Sequence, residues 1–200
     1  MLGRVARDIH EPLSQIRNAV RFVNEQYLMG DADCRRLMSS TERAADQVAR
    51  KIRDALDLTE ALAGRLETAF EVVSAREIVA ATANLCRRAW SESDLNVRTN
   101  CDPEDFEFVG DPDLLLRTLA NLVMLSPRAG SSRIVQVDCL SGPDTVRFVV
   151  TDVDGASACD ESIELLFCRE AVRAMGGKLE EEPEIGRFSL SIVRHPVTGY

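Results

Sequence analysis

The sequence has few of the residues that build metal and redox centres. Its only histidines, His10 and His195, stand at opposite ends of the 200 residues, and its six cysteines include no Cys-x-x-Cys pair. A metal ion needs several ligands that converge at short spacing. We therefore expect no metal site, and we expect the thiols to be reduced and mostly buried.

The sequence also lacks a long apolar run and an excess of positive charge. Charged residues interrupt 1–30, the region where a signal sequence would lie, so we expect a cytoplasmic protein without a membrane-spanning segment. The net charge of −9 argues against a nucleic-acid partner, because affinity for phosphate backbones comes from clustered Lys and Arg. An apolar content of 45% is enough for one or two domains with real cores.

Apolar residues recur at steps of three and four in the first third of the chain. This spacing predicts one helix over 5–27 and a second over 37–62, which together form a hairpin that ends near Gly64. Pro12 lies inside the first helix and predicts a bend one turn earlier, because proline removes a backbone hydrogen bond and crowds the preceding turn. We assign 1–64 to a helical domain.

Each helix carries further apolar residues beside its main stripe, among them Phe22, Leu28, Leu56 and Leu58. Two helices cannot bury stripes of this width on each other alone. A second copy of the hairpin would complete a four-helix bundle. We therefore predict a homodimer.

The pattern changes beyond residue 64, where strand-like runs are interspersed with helical ones. It predicts strands over 70–73, 95–99, 134–140, 146–151, 178–182 and 187–193, and helices over 75–89, 114–125 and 161–175. Ser141-Gly142-Pro143-Asp144 predicts a hairpin turn, and Gly176-Gly177 ends the last helix. The mixture predicts an α/β sandwich over 65–200 with its helices on one face of the sheet, so the expected fold class is α+β.

Four segments share a frame with known signalling motifs. The first is Arg7-Asp8-Ile9-His10-Glu11-Pro12-Leu13, and the second is Gly110-Asp111-Pro112-Asp113-Leu114-Leu115-Leu116-Arg117 followed by Asn121-Leu122. The third is Phe148-Val149-Val150-Thr151-Asp152, and the fourth runs from Cys168 to Gly177. In this order they resemble the phosphoacceptor box, the Asn-box helix, the strand entering the first glycine box and the helix after the second in bacterial sensor histidine kinases. The resemblance covers essentially the whole chain and implies a dimerisation hairpin followed by an ATPase-like domain.

The residues that would handle ATP and phosphate are replaced within these frames. Arg7 stands at the phosphoacceptor position, Leu125 at the second Asn, Asp154 and Ala156 at the first pair of glycines, and Ser162 and Glu164 at the second pair. Asn121 and Asp152 remain as vestigial members of the nucleotide site, or they simply cap and hydrogen-bond their own loops.

These replacements oppose nucleotide binding for physical reasons. Glycine lets backbone N–H groups approach a phosphate, so Glu164 adds both a side chain and a like charge there. Leu125 removes an oxygen ligand for Mg²⁺. Asp152 and Ser162 are ten positions apart, too close for the long lid that closes over the triphosphate in the resembled family. The sequence therefore predicts no cofactor.

His10 gives a second interpretation of the first box. It is followed directly by Glu11, and an imidazole with an adjacent carboxylate suits phosphoryl acceptance near neutral pH. This frame loses the family's spacing to Pro12 and Leu13. His10 is therefore our candidate phosphoacceptor, with a solvated helix histidine as the alternative.

The resemblance implies a role in two-component signalling. We predict a non-catalytic protein that binds and regulates a partner histidine kinase or a response-regulator receiver domain without ATP. Its candidate docking residues on the first helix are Arg7, Asp8, Glu11, Ser14, Arg17 and Arg21. The alternative is a histidine phosphotransferase that relays phosphate through His10 to receiver domains. An active ATP-dependent kinase would require an unrelated way of holding Mg²⁺ and triphosphate.

Overall fold

The chain divides into two compact units, residues 1–59 and 60–200. The computed structural model describes residues 13, 14, 16 and 18 and the ranges 31–89, 95–101, 106–125, 133–153 and 161–193. The four isolated residues are helical, in agreement with the first predicted helix. The rest of that helix, including the predicted bend before Pro12, lies outside the described residues.

The second predicted helix is a single long element, α1 (Asp31–Leu62). Among the side chains described on this helix, Ala44, Asp54 and Leu58 are buried, whereas Ile52 and Leu62, apolar residues at the three- and four-residue spacing, are exposed. Part of the apolar surface of the helix is therefore exposed in the part of the chain that the structure describes. Within the ranges that the structure describes, no helix is both long and apolar enough to cross a membrane.

α1 ends in a Schellman motif centred on Gly64, which has a φ of 68°. The Gly64 N–H donates to the Ala61 carbonyl at 2.9 Å, and the Arg65 N–H donates to the Glu60 carbonyl at 2.8 Å. A residue other than glycine would be strained at this positive φ, so the sequence itself stops the helix here. The predicted end near Gly64 is confirmed.

The second unit contains two sheets. β1 (Glu71–Ser74) pairs antiparallel with β3 (Glu107–Gly110). The larger sheet has the strand order β2 (Leu95–Cys101), β4 (Arg133–Ser141), β5 (Thr145–Asp152), β7 (Arg187–Val193) and β6 (Lys178–Glu182). β2 and β4 are parallel, and the other neighbours are antiparallel.

The α-helices described in the second unit are α2 (Ala75–Ala89), α3 (Pro112–Leu125) and α4 (Ile163–Ala174). Local signals set their starts. The Ser74 hydroxyl accepts a hydrogen bond from the Glu77 N–H at 3.2 Å and caps α2. The Asp111 carboxylate accepts one from the Leu114 N–H at 3.0 Å and caps α3 in the same way.

The core lies between these helices and one face of the larger sheet. Side chains of β4 and β5 alternate between buried and partly exposed, with Val137 and Phe148 fully buried. α2 contacts β2 and β4, α3 contacts β5, and α4 contacts β6. The mixed α+β class and the single helical face are thus confirmed, whereas the four-helix bundle stays a prediction.

The second unit contains a strand that the sequence did not predict, and its two adjacent glycines have separate structural roles. β3 was not predicted, because four residues ending in glycine give too short a pattern to recognise. Gly177 follows α4 where the backbone of β7 approaches closely, since a Cβ there would lie 2.5 Å from the Ser191 carbonyl oxygen. Gly176 before it has a φ of 71°, at which any other residue would be strained. The first glycine is therefore needed for its backbone angle and the second for the lack of a side chain.

Candidate functional site

Asn121 lies in the second half of α3 and is only 4% exposed. α3 is apolar on nearly all sides, with Leu115, Leu119 and Leu122 fully buried. Leu125, at the position of the second Asn in the resembled motif, is also buried. This helix therefore presents a packed hydrocarbon side chain where a hard cation would need an oxygen ligand.

Asp152 is the last residue of β5 and lies on its helix-covered side, since it continues the alternation of Val146, Phe148 and Val150. Its backbone N–H donates to the Gly186 carbonyl at 2.9 Å. Because α3 contacts β5, the structure brings the elements that carry Asn121 and Asp152 together. The two vestigial residues thus belong to one layer between helix and sheet.

The N-terminus of α4 is capped by Ser162. Ser162 has extended backbone angles, and its hydroxyl accepts a hydrogen bond from the Leu165 N–H at 3.3 Å. The Ser162 carbonyl accepts another from Leu166 at 3.1 Å. Glu164 adds a half-buried carboxylate to the first turn, where it complements the positive end of the helix dipole.

An arginine on the second turn of α4 is also engaged. Arg169 donates to both carboxylate oxygens of Glu181 on β6, at 2.6 and 2.9 Å. Its guanidinium lies 3.6 Å from Glu161, which precedes the helix. Sequence analysis did not identify this cluster, because the residues that meet here are separated by a helix and a turn. The cluster holds α4 against β6 at the edge of the sheet. It also pairs the Arg169 guanidinium with the carboxylates of Glu181 and Glu161.

α3 and α4 pack directly against each other. The Arg117 guanidinium lies 4.6 Å from the centroid of the Phe167 ring and 3.2 Å from Asp113. The Cys168 thiol donates to the Thr118 carbonyl at 3.6 Å. α3, which carries Asn121, and α4 are therefore held together by side chains on their facing sides.

Of the residues predicted for partner docking and phosphate acceptance, the structure describes Ser14. Ser14 is helical and half-buried. The residues Arg7, Asp8, His10, Glu11, Arg17 and Arg21 lie outside the described ranges, and their roles stay predictions. Where the chain is described, no three His, Cys, Asp or Glu side chains converge as a metal site.

No family model matches the sequence, and no curated protein does. The histidine kinase AdeS of Acinetobacter baumannii superposes with a TM-score of 0.69 at 11% identity, covering 92% of this chain and 96% of that one. The chain has the fold of a sensor histidine kinase core. The histidine kinase ThkA, solved in complex with the response regulator TrrA, matches this histidine-kinase fold with a TM-score of 0.61 at 18% identity, over 100% of this chain and 62% of that one. A histidine kinase from Burkholderia phymatum gives 0.54 at 16% identity, over 96% and 99%.

The segments that resemble the histidine-kinase motifs lie on three elements of this fold. The segment that resembles the Asn box lies on α3, Asp152 of the segment that resembles the entry to the first glycine box ends β5, and Ser162 and Glu164 lie at the start of α4. The cap at Ser162 was not predicted, although the sequence contains a signal for it. A serine directly before an apolar helical run is a common helix start.

Proposed function

We propose that this chain is a dimeric, cytoplasmic, histidine-kinase-like protein of a two-component pathway that binds a receiver domain or a partner kinase and uses no ATP. The observation that carries the proposal is the N-terminus of α4. In the histidine-kinase fold this is the position of the second glycine box, and here it is capped by Ser162 and carries Glu164.

The chemistry of that helix end opposes a polyphosphate. A bound anion at a helix N-terminus takes hydrogen bonds from the free N–H groups of the first turn. The Leu165 N–H already donates to the Ser162 hydroxyl, so it is not available to a phosphate. Glu164 places a negative charge in the same turn, and like charges at short range repel most strongly where water is partly excluded.

The two retained polar positions do not compensate for these changes. A single hydrogen bond from Asp152 to a nucleobase is worth about 1–3 kcal/mol, which leaves affinity in the millimolar range or weaker. Leu125 offers no ligand for the Mg²⁺ that accompanies ATP. Phosphoryl transfer needs metal and triphosphate held together, so their joint loss supports a protein that acts by binding.

The exposed face of α1 supports the homodimer. Met38, Ile52 and Leu56 are 64%, 43% and 62% exposed and lie on one stripe, because they are separated by two heptads and by four residues. Ala45 and Ala49 fill the same stripe and are also exposed. A second copy of the helical hairpin would bury this surface in a four-helix bundle.

A receiver domain is the partner that the comparisons favour. ThkA, whose structure includes a bound response regulator, matches the full length of this chain in fold. In the resembled family receiver domains dock on the helical hairpin near the phosphoacceptor box. We therefore assign the docking role to Arg7, Asp8, Glu11, Ser14, Arg17 and Arg21.

Calorimetric titration with Mg-ATP tests the loss of the nucleotide site. We expect no saturable binding of Mg-ATP up to about 1 mM. An active histidine kinase core titrated in parallel serves as the positive control. The variant Glu164→Gln removes one charge and keeps the Ser162 cap, so we expect it to remain without measurable binding. Micromolar affinity in the unmodified chain would overturn the proposal.

Receiver binding and phosphotransfer separate the binding role from the phosphotransferase predicted through His10. We expect a purified receiver domain to bind the intact dimer and Arg7→Ala to weaken the complex. In a time course with a phosphorylated receiver, the proposed protein gains no acid-labile phosphate. Phosphate that appears in the unmodified chain and is lost in His10→Ala would instead establish the relay.

A further inference from the structure

Two cysteines face each other across neighbouring parallel strands. Cys101 is the last residue of β2, and its register partner on β4 is Cys139. Both lie on the helix-covered side of the sheet, since they continue the alternation of Val97 and Val137. Neither cysteine forms a disulfide in the structure, and Cys139 is fully buried while Cys101 is partly exposed.

The spacing of the strands suits a covalent link. Neighbouring strands lie about 4.8 Å apart, which falls inside the Cα separation of about 4.4–6.8 Å that disulfides require. A disulfide also holds the two Cβ atoms about 3.8 Å apart, which requires a local adjustment of the two strands. Cys101 is well placed for this movement because it ends a strand that, among the described elements, pairs with β4 alone.

We propose that Cys101 and Cys139 form a reversible disulfide when the protein meets a peroxide. The Cys101 sulfur attacks one oxygen of hydrogen peroxide, the O–O bond breaks, and the proton of the thiol goes to the leaving hydroxide, so the products are a sulfenic acid and water. The Cys139 sulfur then attacks the sulfenic sulfur, the S–S bond forms, the S–O bond breaks, and the hydroxide leaves with the Cys139 proton as a second water. The two thiols lose two electrons in total, and the peroxide gains them.

Exposure and position determine the order of these steps. Cys101 reacts first because it is the partly exposed member of the pair, and Cys139 resolves the sulfenic acid from inside the core. Two other buried thiols are candidates for wrong pairing. Cys86 lies on α2, which contacts both strands, and Cys168 on α4 donates to the Thr118 carbonyl.

The link would close a covalent loop from the end of β2 to the end of β4. That loop contains β3 and α3, including the Asn-box helix. Closing a loop of this size restricts the unfolded chain, so the oxidised protein should unfold at a higher temperature, by roughly 5–10 °C. Reduction with a dithiol should reverse the shift.

Peptide mapping of the full chain tests the proposal. The protein is treated with hydrogen peroxide, alkylated and digested. The unmodified chain is compared with a Cys34→Ser/Cys159→Ser variant, which lacks the two remaining thiols. We expect one peptide pair joined through Cys101 and Cys139, and a melting temperature that rises on oxidation. Cys168→Ser should keep the link and Cys101→Ser should abolish it.

Three results of the peptide mapping would overturn the inference. They are thiols that remain fully alkylatable after peroxide, a link that contains Cys86 in place of either partner, and a cross-link between chains. A melting temperature that rises equally in Cys101→Ser would also exclude it, because the shift would then have another origin.

Discussion

Asp111 should be one of the most costly polar residues to remove from the second unit. Its carboxylate is 5% exposed and accepts two backbone hydrogen bonds, from Leu114 at 3.0 Å and from Ala69 at 2.8 Å. The first caps α3, and the second fixes the segment that leads into β1. Asp111→Ala therefore loses a helix cap and a long-range anchor together.

The magnitude follows from these two bonds. Loss of a helix cap costs about 1 kcal/mol. A hydrogen bond to a charged acceptor contributes about 1.5–3 kcal/mol, and relief of the buried charge offsets part of that. We expect the free energy of unfolding to fall by about 2–3 kcal/mol and the melting temperature by roughly 4–12 °C.

Urea denaturation followed by far-ultraviolet circular dichroism measures this change. Asp113→Ala is the matched control, because Asp113 lies in the same turn but its side chain is 66% exposed, and Arg117, with which it pairs, is also held by its stacking on Phe167. Its loss should be below about 1 kcal/mol. Asp111→Asn keeps an acceptor for one bond and should fall between the two. If Asp111→Ala unfolds within about 0.5 kcal/mol of the unmodified chain, the anchoring argument is wrong.

Two further predictions concern Gly177 and the ion pair at the end of α1. Gly177→Ala should destabilise by about 1–3 kcal/mol in urea, because its Cβ would meet a backbone carbonyl of β7 at 2.5 Å. Arg65 lowers the pKa of Glu60 below its ordinary value of 4.5, first through side-chain hydrogen bonds and then through charge. The pair therefore contributes its full stabilisation when the pH is above the ordinary pKa of Glu60. This contribution is lost as the pH falls through the lower pKa that Glu60 has in the folded protein. Carboxyl NMR titration should show the pKa of Glu60 returning upward in Arg65→Gln.

A specific result would contradict each of the predictions for Gly177→Ala and Arg65→Gln. A Gly177→Ala variant as stable as the unmodified protein would mean that β7 moves away without cost. Gly64→Ala is a useful comparison, because its Cβ would have open space and only the positive φ would cost about 1–2 kcal/mol. An unchanged pKa of Glu60 in Arg65→Gln would show that the bidentate contact is not maintained in solution.

The candidate site was recognised from sequence only in part. The frames around Asn121 and Asp152 identified which elements would carry it, and Ser162 and Glu164 were recognised as replacements for glycines. The cap that Ser162 makes and the pairing of Arg169 with Glu181 were not foreseen. A likeness of motifs tells which residues changed, whereas the new hydrogen bonds depend on where the changed side chains point.

The sequence by itself determined the order of the elements other than β3 and the exact bounds of three of them. α2, β6 and β7 coincide with the predicted ranges, because a serine cap, a glycine pair and a turn proline are local signals that act within a few residues. Only the tertiary structure decided which distant residues meet. Asp111 reaches Ala69 across 42 positions, and Cys101 comes to lie beside Cys139 through strand pairing. Such contacts depend on how the layers pack around a shared core, and periodicity along the chain contains no information about that.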